Sequence, residues 1–207
     1  MQSDQDWLER AKTVVRADAA SIEAILDSVD DNLIAVARRL AACRGKILVT
    51  GSGTSGNVAA RGAHILSVCG AAAFYLSPGD GLHGGLGVLQ ADDVVLALSK
   101  GGSSAELNDF CARAKTLCSG VIAITADPAS PLAALSDHVI TLKLPADGDL
   151  GGVVATGSSL AAAAVTDVLA EMLRVARDYS WESLLFTHPS GAVGRDAEKS
   201  LKRLGSN

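Results

Sequence analysis

Between Leu96 and Glu106 the chain places three serines (Ser99, Ser103, Ser104), two glycines (Gly101, Gly102), Lys100 and Glu106 within eight residues. Ahead of this run, Asp93 to Leu98 reads as a short apolar strand. Behind it, Leu107, Phe110, Cys111, Ala114, Leu117 and Cys118 recur at helical spacing. Glycines let backbone N–H groups approach a ligand, hydroxyls add donors, and the positive end of a helix dipole favours an anion. Ser103 or Ser104 is placed to cap the helix, with Glu106 in its first turn. A strand, a Gly/Ser turn and a helix start make a phosphate seat, although the same composition fits an ordinary capped βα turn. A carboxylate at Glu106 repels phosphate unless it has a task of its own.

A second glycine-rich turn, Gly51-Ser52-Gly53-Thr54-Ser55-Gly56, follows the apolar strand Lys46–Thr50 and opens a helix. The spacing matches the dinucleotide fingerprint, which also expects an acidic residue at the tip of the next strand to hold a ribose. That strand is Ala72–Leu76, followed by Ser77-Pro78-Gly79, and its tip has no acid. Nucleotide binding is the weaker reading. Pro78 to Gly87 reads as a glycine-rich loop. His83 within it, beside Gly84-Gly85, has little local packing and is a candidate site residue.

The elements that must position these groups alternate along the chain. Two helices come first: Leu8, Ala11, Val15, Ile22 and Leu26 lie near one face of the first, and Leu33, Ile34, Ala37, Leu40 and Ala41 mark the second. Five short strands then alternate with helices, the later strands being Val121–Thr125 and about His138–Leu142. Leu160, Ala164, Val168, Met172 and Ala176 line a long final helix, widened by Val165, Leu169 and Leu173. The expected fold is α/β, a three-layer αβα sandwich around a five-stranded parallel sheet, preceded by the two helices. One domain over 1–207 is expected: helices over 1–43, a core over 45–195 and a tail helix over 196–207.

With 207 residues, 48% hydrophobic but only 3% aromatic, the core must be built from Ala, Val, Leu and Ile. A net charge of −5 argues against nucleic acid as a partner. The most apolar run, Val153–Ala170, is broken by Thr156, Gly157, Ser158, Ser159 and Asp167, which argues against a membrane span. The start of the chain shows no leader pattern, and Cys43, Cys69, Cys111 and Cys118 read as core thiols of a cytoplasmic protein.

Gly51-x-Gly53-x-Ser55-Gly56, Pro78-Gly79 with His83-Gly84, Ser99 to Glu106, and His188-Pro189-x-Gly191 with Gly194-Arg195 together resemble the sugar isomerase (SIS) superfamily. Within it they are similar to the arabinose-5-phosphate isomerase family, many members of which continue into paired CBS modules beyond the point where this chain stops. The resemblance implies an aldose–ketose isomerase acting on a sugar phosphate through an enediol, with neither cofactor nor metal. It implies Glu106 as the proton-shuttling base and His83 and His188 for ring opening and hydroxyl positioning. Ser52, Ser55, Ser99, Ser103 and Ser104 are implied to hold phosphate. Thr54 stands where the family commonly has a lysine, and Lys100 in the facing turn is the candidate to supply that charge. Family assemblies are dimers of dimers with sites at subunit boundaries, so a homo-oligomer is expected, with His188 serving a neighbour's site. A non-catalytic sugar-phosphate sensor is the alternative, favoured by Thr54. The intact acid and base groups favour the enzyme.

Overall fold

The computed structural model describes residues 3–190 together with 199, 201 and 202; Gly191, Gly194, Arg195 and most of the expected tail helix lie outside the described residues. Five strands, β1 (Ile47–Gly51), β2 (Ala73–Tyr75), β3 (Val94–Leu98), β4 (Val121–Thr125) and β5 (His138–Thr141), form one sheet in the order β2-β1-β3-β4-β5. Every neighbouring pair runs parallel. β1, β3 and β4 are buried at all five positions, which is why they read as continuous apolar runs.

Side chains alternate across the sheet and divide the core in two. Ile47, Val49, Leu96, Leu98 and Ile124 face one cluster, formed with α2 (Asp31–Ala41), α3 (Thr54–Val68) and α7 (Gly157–Ala176). Leu48, Val95, Ala97 and Ala123 face the other, with α5 (Ala105–Ala114) and α6 (Pro131–Leu135). Each fully buried branched side chain contributes about 2 kcal/mol. Small residues set the spacing: a Cβ on Gly62 of α3 would lie 3.1 Å from Thr166 Cγ2 of α7. Beside that contact Arg61 grips Asp167 through two bonds of 2.7 and 2.9 Å.

Several expectations need correction. The first helix, α1 (Asp4–Glu23), packs along α7, its least exposed line being Val14, Ala17, Asp18 and Ser21, and a 3-10 turn over Ala24–Ser28 follows. Its larger apolar residues point outward, Leu8 and Val15 being 56% and 67% exposed and Leu26 in the following turn 71%, so the face that they mark is turned to solvent. In α2, Val36 is buried and Ile34 lies at the surface. In α7 the buried line is Ala161, Val165, Leu169 and Leu173 with Ala162, Thr166 and Ala170; Leu160 and Ala176 are exposed. That helix is alanine-rich, and small apolar residues on every side blur its pattern.

The supposed loop after Pro78 contains a helical turn, α4 (Pro78–Leu82), and a 3-10 turn over Gly85–Val88. Ser77 caps α4 by accepting from Asp80 N, and Pro78 takes the first helical turn, where a missing N–H costs little. Glycines at 79 and 81 hid this helix from a propensity reading. No helix among the described residues is long and apolar enough to cross a membrane.

Candidate active site

In the order 2-1-3-4-5 the chain leaves β1 toward one face and β3 toward the other, so a crevice opens at their carboxyl ends. Both glycine-rich turns lie there. A Cβ on Gly51 would sit 2.9 Å from the carbonyl oxygens of Leu98 and Ser55, so the two strand ends meet backbone to backbone. Gly53 (φ +58°) turns the chain into α3. Gly102 (φ +60°) packs against the Ser130 side chain. The second turn is anchored on β4: the Lys100 carbonyl accepts from Thr125 Oγ1 (3.0 Å) and Ala126 N (2.8 Å). Ser99 Oγ accepts from Gly102 N at 3.1 Å.

Neither α3 nor α5 has a capping bond from its N-cap side chain. Ser104 occupies the N-cap of α5, but its hydroxyl makes no capping bond, and Ser103 Oγ donates instead to the Gly101 carbonyl at 3.1 Å. The sequence expectation of a serine cap is corrected accordingly. Two helix starts with first-turn N–H groups facing one crevice can take an anion.

Glu106 stands over this seat. Its Oε2 accepts from Ser52 Oγ at 3.4 Å, and its Oε1 lies 3.3 Å from where a Cβ on Gly79 would be. One carboxylate therefore bonds to the first glycine turn and faces α4 across the space that Gly79 leaves open. Gly81 of α4 packs directly against the Phe110 ring of α5, which fixes α4 against the helix that carries Glu106. His83 closes α4, its N–H donating to the Gly79 carbonyl at 3.1 Å. Residues four apart share a helix face, so exposed His83 lies one turn along from Gly79, the α4 residue nearest the carboxylate.

A small pocket of about 20 Å³, roughly one water in size, lies beside the seat. Thr54, Ser55, Ser99 and Lys100 line it together with Ser158 and Ser159 of α7. Lys100 does not point free into it: Nζ pairs with Asp149 Oδ2 at 2.6 Å. Asp149 also accepts from Ser158 N and Ser158 Oγ, both at 2.8 Å, and so caps α7. Burial works to raise its carboxyl, but the Lys100 ammonium and the Ser158 donors outweigh it and hold the pKa below the ordinary 3.8.

His188 lies apart from these groups. It follows α8 (Trp181–Phe186), and its Nδ1 sits 3.0 Å from the Leu184 carbonyl. The end of α7 is tied by Arg177 to the carbonyls of Leu40 and Cys43, just before β1, and Tyr179 packs on Gly70 before β2. Both contacts lie at the amino ends of the strands, opposite the crevice. The 20 residues of α7 span about 30 Å between the two. Within one chain, His188 is not brought to Glu106.

Residues 40–172, from the end of α2 through most of α7, match the SIS domain family. This chain belongs to that family. It is 30% identical over 195 residues to the arabinose 5-phosphate isomerase KdsD of Pseudomonas aeruginosa, covering 94% of this chain and 60% of that protein. The SIS chain thus spans about three-fifths of the curated relatives it matches. A Listeria monocytogenes structure described as a candidate sugar-phosphate isomerase is 30% identical, with a TM-score of 0.87 over 92% of this chain and all of that one. An Escherichia coli CFT073 protein solved in complex with arabinose 5-phosphate shares the fold, with a TM-score of 0.86 at 24% identity over 91% of this chain and all of that one.

Asp149 is the member of the SIS crevice that sequence reasoning missed. Its partners stand 49 residues before and 9 after it, with no local spacing to tie them. The hydroxyl stretch Thr156-Gly157-Ser158-Ser159 was the available signal, and its role becomes clear only once α7 points its start at the crevice.

Proposed function

We propose that this chain is an aldose–ketose isomerase acting on a pentose or hexose phosphate, with arabinose 5-phosphate and ribulose 5-phosphate the first pair to test. The observation that carries this reading is the Glu106 carboxylate held between Ser52 and Gly79, beside two helix starts open to an anion. The similarity to KdsD and to a protein solved with arabinose 5-phosphate supports it.

In this reading the phosphate rests on Ser52, Thr54, Ser55, Ser99, Ser103 and Ser104 and the first-turn N–H groups, with Lys100 nearby. The anchored phosphate sets the far end of an open-chain sugar toward Glu106. Glu106 takes the proton from C2 of the aldose while the carbonyl oxygen at C1 gains a proton, forming the enediol. The carboxylic acid then returns its proton to C1, and the C2 hydroxyl gives up its own to leave the ketose. His83, one helical turn along from Gly79, opens the ring and serves the oxygens. His188 acts in the crevice of a neighbouring copy, since its own lies a helix length away. The assembly is then a homo-oligomer, a dimer or dimer of dimers, in the cytoplasm.

A coupled assay over aldose and ketose phosphates, run with Glu106→Gln beside the wild type, tests this. The expected result is turnover on one pair and a loss of about 10²- to 10⁴-fold in the variant. Thermal stabilisation by sugar phosphates without turnover would instead make the chain a sensor, the reading that neutral Thr54 favours.

A further inference from the structure

Lys100 divides two hollows. On one side the residue lines the crevice pocket with Thr54, Ser55 and Ser99, where it is the one ionisable residue in the lining. On the other it borders a cavity of about 60 Å³ with Gly148, Asp149, Gly152 and Ser158. The ion pair it makes with Asp149 is lopsided: the lysine side chain is 45% exposed and the aspartate 5%. Asp149 is also pinned by two bonds from Ser158 that do not involve Lys100. The backbone around it is wedged, because Gly148 and Gly157 both close on the Ser21 side chain of α1. If the pair separates, the lysine is the partner that moves, and the cap on α7 survives.

An anion in the crevice and the Asp149 carboxylate would then draw on the same ammonium. We propose that Lys100 is a shared cation, held by Asp149 in the empty protein and handed to the phosphate when one enters. Asp149 is thereby a built-in competitor that weakens anion binding and speeds phosphate release. The inference rests on the anion-seat part of the isomerase reading and not on turnover.

Inorganic phosphate titrated by calorimetry into the full chain tests it. Asp149→Asn should bind phosphate roughly fivefold more tightly, the size of a half-exposed charge pair, and Lys100→Gln correspondingly more weakly. Most of the gain from Asp149→Asn should vanish when Lys100→Gln is already present. Unchanged affinity in Asp149→Asn, the full gain without Lys100, or no phosphate binding by the wild type would each overturn the proposal. Should Asp149→Asn fail to fold, the wild type still decides by NMR. The Asp149 ¹³Cγ and Lys100 ¹⁵Nζ resonances should shift together as phosphate binds, and an Asp149 signal that stays still sinks the idea. Intact phosphate binding without turnover on any sugar phosphate would sink the isomerase reading alone.

Discussion

Asp93 carries a carboxylate with no exposed surface at the amino end of β3, and three donors converge on it. Lys46 N reaches Oδ1 at 2.6 Å, while Gln90 N and Lys46 Nζ reach Oδ2, each at 2.9 Å. Burial alone would raise its pKa; the Lys46 and Gln90 donors overcome this and set it below the ordinary 3.8. Asp137, bonded by Val121 N and paired with Lys115, and Asp149 are lowered in the same way, against the same opposing effect of burial. A carboxyl depressed in the folded chain stabilises it above the unfolded pKa, and that stability is lost as pH falls through the folded value. Thermal stability should therefore be nearly level around neutrality and drop below about pH 4. Asp93→Asn should lower unfolding free energy by about 3 kcal/mol in a urea titration at neutral pH, since Lys46 loses its buried partner. It should also flatten the acid limb, and an unchanged limb would mean that Asp93 is not one of its sources. Cys111 is the opposite case: burial pushes its thiol up to about 12, so it should resist thiol reagents until the chain unfolds.

At the scale of elements, what sequence revealed and what it hid follow from how each element is buried. β1, β3 and β4 were legible because strands covered on both faces need apolar side chains throughout. The two glycine turns were legible because Gly51 and Gly102 stand where the backbone or a neighbouring side chain leaves no room for a Cβ. The face of α7 was not, since alanine gives no contrast of size between the sides of a helix. The short α4 was hidden by its own glycines, although one of them gives it its place. Gly81 touches the Phe110 ring so closely that a methyl group cannot enter without moving α4 or α5. Gly81→Ala should cost about 1–3 kcal/mol, the range for overpacking a core contact. Because α4 carries both Gly79 and His83, the variant should also lose sugar-phosphate turnover by more than its fall in stability explains. Urea titration and the isomerase assay on one preparation separate the two effects. Turnover unaffected by the shift would detach α4 from the chemistry.

For the whole molecule, the surface left by this packing is uneven. Trp7, Leu8 and Val15 on α1, and Leu26 in the turn after it, are 63%, 56%, 67% and 71% exposed, and Phe186 of α8 is 85% exposed. Isolated apolar side chains at a surface need no explanation, but several on one helix and its following turn do. That helix is held to its own chain by a narrow line ending at Ser21, the one buried residue of α1. The crevice requires something more as well, if His188 belongs to the chemistry, because a helix length separates it from Glu106 within a chain. A second copy would answer both needs, covering the apolar side of α1 and bringing a His188 from outside. Light scattering at micromolar concentration should therefore give a mass at least twice the 21.0 kDa of one chain. Leu8→Glu combined with Val15→Glu should shift it toward the single-chain mass, with little change in the far-ultraviolet spectrum, since both side chains already face water in the isolated chain. If His188 serves a neighbour, the dissociated variant should bind phosphate at its own α3 and α5 starts yet turn over no sugar. A monomeric wild type with full activity would remove both the second copy and His188 from the mechanism.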